Sequence, residues 1–231
     1  SHPFNIFTVK LAENSGKIVV FADFAGKIAP IIAEINRGRN LVLLLDHHRA
    51  EPSPDESVLN LDPDLYGLRG DRDISASVVC YYFAVELDKA NRDLVHIAAF
   101  GGIADFYYLD RKVHSFNRLC FEEAVKSGLM RSGSTGGEER FYITLGEMEA
   151  DVVDFYPLLD IAGGVGFYNG GPELGISILL EGLTAEKLEK IEKLKKIKDS
   201  LFAQELETLK KGGLHDTGNI QWFDIKERFS P

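Results

Sequence analysis

Asp46, His47 and His48 follow directly on Leu41–Leu45, a run of five apolar residues. Three consecutive side chains able to hold a cation or move a proton, placed where an apolar run stops, form the strongest chemical signal in the chain. Asp23 stands just beyond an earlier apolar run, Lys17–Phe21, and Asp105 closes the segment Gly101-Gly102-Ile103-Ala104-Asp105. Carboxylates have two oxygens and can bridge two cations. Imidazole combined with carboxylates suits Mn²⁺, with Mg²⁺ or Zn²⁺ as alternatives. The chemistry such a set favours is phosphoester cleavage, which must place a nucleophilic water and neutralise charge on phosphorus; two divalent ions about 3.5–4 Å apart can do both. A second histidine beside the first can contact the phosphate or donate a proton. Arg49, next in sequence, has the fork that grips a phosphate through two hydrogen bonds. Taken one at a time these residues also fit blander roles: a capped Asp-His-His turn, a turn aspartate at 23, a solvated helix end at 105, a solvated arginine at 49.

The elements that must position them follow from hydrophobic pattern. Lys17–Phe21 and Leu41–Leu45 read as buried strands. Between them, Ile28, Ile31, Ile32 and Ile35 fall on one face of a helix spanning Lys27 to Arg37. Strand, helix and strand within about thirty residues form a βαβ unit and imply a parallel sheet. Ligands bind at the carboxyl ends of such strands, which puts Asp23 and His47 at one crevice. Glu51 to Arg72 reads as a polar excursion with a short strand near Val58–Leu61. Asp73 is expected to cap a helix from Ile74 to Lys89, and Asp93 another running towards Asp105. A helix from Ser115 to Lys126, stopped by Gly128, precedes a Ser/Gly loop over Arg131–Gly137 and a strand over Glu139–Leu145. Residues 163–171 are glycine-rich. Thr184 to Lys211 carries apolar residues at helical spacing among many Lys and Glu, which predicts one long amphipathic helix ended by Gly212-Gly213. Ile220–Phe223 is strand-like. The expected class is therefore α/β: a mainly parallel sheet flanked by helices over residues 1–183, a long connecting helix over 184–211, and a tail over 212–231.

The chain has 231 residues, and its 45% hydrophobic and 27% charged residues are those of an ordinary globular protein. No apolar run is long enough to span a bilayer. Cys80 and Cys120, each among apolar residues, read as buried thiols in a reducing, cytoplasmic compartment rather than a disulfide. A net charge of −10 opposes binding of a polyanion except where metal ions invert the local sign. His96 is expected in the core, and His114 and His215 in solvent. Tyr107 and Tyr108 read as core aromatics with an outside role in base stacking.

In combination and order, Asp23, then Asp46-His47-His48, then Gly102-Ile103-Ala104-Asp105 resemble the DHH phosphoesterases. Gly70-Asp71-Arg72-Asp73-Ile74-Ser75-Ala76-Ser77 is similar to a segment of archaeal RecJ-like members, as is Ile220-Gln221-Trp222-Phe223 with Phe229-Ser230-Pro231. The resemblance is good from Lys17 to Ala124 and loose elsewhere. It implies a DHH-type domain in which Asp23 bridges two metals, His47 and Asp105 bind the second metal, His48 faces substrate, and Asp46 supports the histidine pair. It further implies Mn²⁺ as cofactor, single-stranded DNA or RNA as substrate, and replication or repair proteins as partners, without a membrane.

One departure matters. The family's first motif, near Asp-x-Asp-Gly, is not found in the 22 residues before Asp23, and the glycine-rich motif of a second domain is not found before Pro231. The expectation is an excerpt of a longer RecJ-like exonuclease, with this chain binding metal weakly and nearly inactive by itself. Two alternatives stand beside it: a replication or repair scaffold of the same fold without catalysis, and a small-molecule phosphodiesterase or pyrophosphatase.

Overall fold

The computed structural model describes residues 5–105 and 112–223. Tyr107, Tyr108 and the Phe229-Ser230-Pro231 part of the resemblance lie outside the described residues. The chain divides into two compact units, Ser1–Tyr156 and Pro157–Pro231.

The first unit opens with helix α1 (Asn5–Glu13), which the hydrophobic pattern did not indicate, then strand β1 (Ile18–Ala22), helix α2 (Ala29–Asn36), β2 (Leu41–Leu45) and β3 (Val58–Asn60). The three strands form a parallel sheet in the order β1-β2-β3, with Ala22 level with Leu45. On one face α1 and α2 cover the sheet. Leu11, Ile32, Val42, Leu44 and Val58 are fully buried there, with Phe7, Val19 and Phe21 packed around them. Burial of each such side chain contributes about 1.5–3 kcal/mol. The register has a direct consequence for the chemistry. Asp23 N–H donates to Leu45 O at 2.9 Å, one step past β1, so Asp23 and Asp46 emerge side by side at the carboxyl end of the sheet.

Helices α3 (Ala76–Leu87), α4 (Val95–Ala104) and α5 (Ser115–Lys126) follow. Two expected caps are not caps. Asp73 does not start α3; its carboxylate accepts from Arg69 N–H at 3.0 Å, and Ser75 holds the capping position, its hydroxyl bonded to Asn117 and Ser77 instead. Asp93 does not start α4, because a 3-10 helix over Lys89–Leu94 comes first, capped by the Asp88 side chain on Ala90 N–H. At Asp73 a nearby backbone donor out-competed the helix terminus for the carboxylate, whereas Asp93 lies inside the 3-10 helix and so cannot cap α4. The segment read as a Ser/Gly loop is largely strand. Strands β4 (Met130–Thr135), β5 (Glu138–Leu145) and β6 (Met148–Asp151) make an antiparallel meander. Gly136 and Gly137, both at positive φ, form its first turn. Arg131 lies 4.1 Å over the Tyr142 ring and pairs with Glu149, so β4 is held by its neighbours rather than by its own composition.

Helix α6 (Val152–Gly163) runs across the division between the units. The second unit holds α7 (Gly171–Glu181), α8 (Ala185–Thr208) and a small hairpin of β7 (Leu214–Asp216) and β8 (Gln221–Phe223). The glycine-rich stretch serves packing: a Cβ on Gly171 would lie 1.9 Å from Ala162 O. Helix α8 is the expected long helix, started by Thr184, whose hydroxyl accepts from Lys187 N–H at 3.2 Å. Among the described residues no helix is long and apolar enough to cross a membrane. Cys120 is buried, Cys80 only half so, and both are free thiols. His96 is half-buried rather than in the core, its Nδ1 2.9 Å from Asp93 O; His114 and His215 are exposed, the latter stacked on Trp222.

Candidate metal centre

Two backbone features after β1 shape the site. Asp23 and Ala25 both adopt left-handed conformations, with φ of 59° and 86°. Such residues cost on the order of 1–3 kcal/mol each and cluster where function over-determines the backbone. Here they curl the chain back so that Gly26 N–H donates to Asp46 Oδ2 at 2.8 Å. Only glycine fits at 26, since a Cβ would lie 2.4 Å from Asp62 Oδ2 and 3.1 Å from Asp46 Oδ2.

Asp46 is buried and its oxygens are committed. Oδ1 accepts from His47 N–H at 2.8 Å and sits 2.7 Å from His48 Nδ1, while Oδ2 serves Gly26. Burial by itself would raise its pKa; the bonds from Gly26, His48 and His47 outweigh burial and hold the carboxyl below its usual range. It therefore orients both histidines.

His47 is buried too. Its Nδ1 lies 2.9 Å from Gly70 O and 3.2 Å from Ile74 O, so that nitrogen carries the proton and donates. In the neutral ring Nε2 is then a lone pair. It is directed at Asp23 Oδ1, 3.3 Å away, and at Asp105 Oδ2, 4.0 Å away. A lone pair facing two anionic oxygens is repulsive unless a proton or a metal ion lies among them. Ligands adjacent around an ion with bonds of about 2.1 Å are about 3 Å apart. The donor set thus fits a divalent cation, and the carbonyl behind Nδ1 is the support that metal-binding histidines usually have.

Asp105 reaches the cluster because α4 sits close on the start of α3. A Cβ on Gly101 would lie 2.5 Å from Ser77 Cβ, and Ser77 Oγ donates to Ala98 O at 3.0 Å. Burial pushes the Asp105 carboxyl above its ordinary range, and the charge of Asp23 adds to this. His48 is exposed; its bond to Asp46 raises its pKa, aided by Asp23 and Asp105. One ligand atom each from Asp23, Asp46, His47 and His48 fall within 4.8 Å of one another.

A cleft of about 690 Å³ opens over this cluster, lined by His47, His48, Arg49, Asp64, Arg69 and Asp105 with neighbouring residues. All six residues singled out in the sequence are thus at one place. No family model matches the chain. It is 34% identical over 111 residues to the uncharacterized protein MJ0831 of Methanocaldococcus jannaschii, an alignment covering 46% of this chain and 24% of that protein. The chain spans about a quarter of that relative's length.

The structure adds residues that sequence reasoning passed over. Asp62 is fully buried against Gly26, its Oδ2 without a hydrogen-bond partner, and burial, reinforced by Asp46 and Asp64, pushes its carboxyl up to about 6. Asp64 Oδ2 accepts from Ala50 N–H and so fixes the turn after Arg49. Gly70 touches His47 directly: a Cβ there would lie 1.3 Å from His47 O. Gly70 opens a segment the sequence had already singled out, but nothing in the polar Glu51–Arg72 stretch distinguishes Asp62 or Asp64 from ordinary loop residues.

Proposed function

We propose that the chain carries the DHH-type part of a metal-dependent phosphodiesterase, a RecJ-like nuclease core acting on single-stranded nucleic acid in the cytoplasm. The observation that carries this reading is the aim of the His47 Nε2 lone pair at both Asp23 and Asp105, from a ring fixed by the carbonyls of Gly70 and Ile74. Asp23, His47 and Asp105 would hold the ion, with Mn²⁺ favoured by the mixed imidazole and carboxylate set. A bound divalent ion supplies a water nucleophile at neutral pH and neutralises charge on phosphorus. Asp46 keeps the two rings in place. His48, with Nδ1 engaged by Asp46, presents Nε2 to the cleft, where as imidazolium it can protonate a leaving oxygen. Arg49, whose guanidinium makes no ion pair among the described residues, faces the same cleft and can grip the phosphate.

The test is calorimetric titration with Mn²⁺. The wild-type chain should bind, His47→Ala should lose binding, and Asp46→Asn should weaken it by about 10–100-fold through the disturbed ring support. A scaffold that had dispensed with metal would show no saturable uptake, and His47→Ala would then change nothing.

A further inference from the structure

We propose that Arg69 is a second phosphate-gripping residue of the cleft, held ready by Asp71, and that it biases the site towards oligonucleotides over phosphomonoesters. The proposal rests on reading the Asp23–His47–Asp105 cluster as the cation centre of a phosphodiesterase. Arg69 is rooted in the turn that fixes His47. Gly70 O accepts from His47 Nδ1, and the neighbouring backbone is closed on itself, with Arg69 N–H on Asp73 Oδ2 at 3.0 Å and Asp73 N–H on Arg69 O at 2.6 Å. One rigid turn therefore sets both the ligand and the base of the arginine. The guanidinium is not part of those backbone bonds. It is paired with Asp71 through two bonds, Nε to Oδ1 at 3.0 Å and Nη2 to Oδ2 at 2.8 Å, with both side chains largely exposed. A fork on a carboxylate has the geometry of a fork on a phosphate. An exposed pair of this kind is worth only about 0–1 kcal/mol, so exchanging Asp71 for a substrate phosphate costs little.

The cleft's charge pattern gives this exchange a purpose. Arg49 and Arg69 are the only Lys or Arg side chains among the described residues lining it, and its volume of about 690 Å³ exceeds what one phosphate fills. Arg49 adjoins His48 in sequence, at the reacting phosphate. Arg69, on the separate 69–74 turn, is placed for a phosphate further along the strand. A phosphomonoester has no such group.

The experiment measures binding, in Mn²⁺, of a fluorescent phosphorothioate tetrathymidylate that resists cleavage, with thymidine monophosphate as competitor. Arg69→Ala should weaken tetranucleotide binding about tenfold, the loss expected for a charge-assisted pair, and leave the monophosphate within about twofold. Its log–log salt slope should fall by about 0.7. Asp71→Asn should act in the opposite direction and tighten the tetranucleotide several-fold, and the double variant should match Arg69→Ala. Because both side chains are exposed, thermal midpoints should stay at the wild-type value. An Arg69→Ala affinity within twofold of wild type overturns the inference, as does weaker binding by Asp71→Asn or no tetranucleotide binding by the wild type. Mn²⁺ titration of the wild type reads the cation centre separately. Failure there removes the hydrolase reading and this inference with it, whereas normal Mn²⁺ uptake beside an unaffected Arg69→Ala removes this inference alone.

Discussion

At the scale of single residues, the groups that hold the proposed ligands in place constrain the site as tightly as the proposed ligands themselves. Gly70 is the sharpest case: any Cβ would press into the His47 carbonyl. Gly70→Ala should therefore lower stability by about 3 kcal/mol or more and weaken Mn²⁺ affinity together, read by urea denaturation and titration. An Ala variant with wild-type stability would mean that the turn yields freely. Asp62 yields a prediction in pH. Its folded pKa, pushed up to about 6, lies above the ordinary 3.8, so the folded chain binds the proton more tightly than the unfolded one. The penalty for ionising it is absent below pH ~4, grows between about 4 and 6, and is complete above that range. Asp62→Asn, which keeps an acceptor for Asp64 N–H without the charge, should stabilise the fold at pH 8 by on the order of 2–3 kcal/mol and have almost no effect at pH 3.5. Equal effects at both pH values would show that the group is not tuned as described. Asp23, Asp46, His47, His48 and Asp105 were legible in the sequence through their combination and order at the ends of apolar segments, since each taken singly also fits a turn or a helix end. Asp62 and Gly26 were not, since their importance comes from what lies against them in space, which no local pattern encodes.

At the scale of elements, hydrophobic period identified β1, α2 and β2 with their parallel pairing, and helix α8, but β1 is not the buried strand expected, since Ile18 and Val20 are exposed. It failed where another force decides. Strand β4 is polar and exposed, and cross-strand pairs hold it. Asp73 looks like a cap but was claimed by Arg69 N–H, Asp93 lies inside the preceding 3-10 helix, and α1 has a weak pattern of its own. Helix α8 also shows the limit of reading amphipathicity as burial. Ile191 is buried, whereas Ile197, Leu201 and Phe202 further along are exposed. Its start rests on defined local bonds. The Thr184 hydroxyl caps it, and Glu186–Lys190 and Glu189–Lys193 pairs at 2.8 Å add a few tenths of a kcal/mol each in the favourable orientation. Thr184→Ala should cost about 1 kcal/mol, and Thr184→Ser should recover most of it, measured by chemical denaturation. If the Ala variant is as stable as the wild type, the packing of α8, and not its cap, sets where the helix begins.

At the scale of the whole molecule, a chain of net charge −10 is proposed to bind a polyanion, and only a cation at the site reconciles the two. Asp64, Asp71 and Asp105 line the cleft, and Asp23 and Asp46 lie beside the two histidines at its edge. Without a divalent ion that field repels phosphate, and the two lining arginines are outnumbered. Binding of an oligonucleotide should therefore depend on metal beyond the general effect of salt. Removing Mn²⁺ with a chelator at constant ionic strength should lower affinity for single-stranded oligothymidylate by at least about tenfold, a change of about 1.4 kcal/mol, in a fluorescence anisotropy titration. Replacing Mn²⁺ by an equivalent ionic strength of KCl should not restore it, because monovalent ions screen the field without occupying the position between His47 and the two carboxylates. Affinity that survives the chelator unchanged would place the nucleic acid on another surface of the protein, and the acidic cleft would then have no part in holding it.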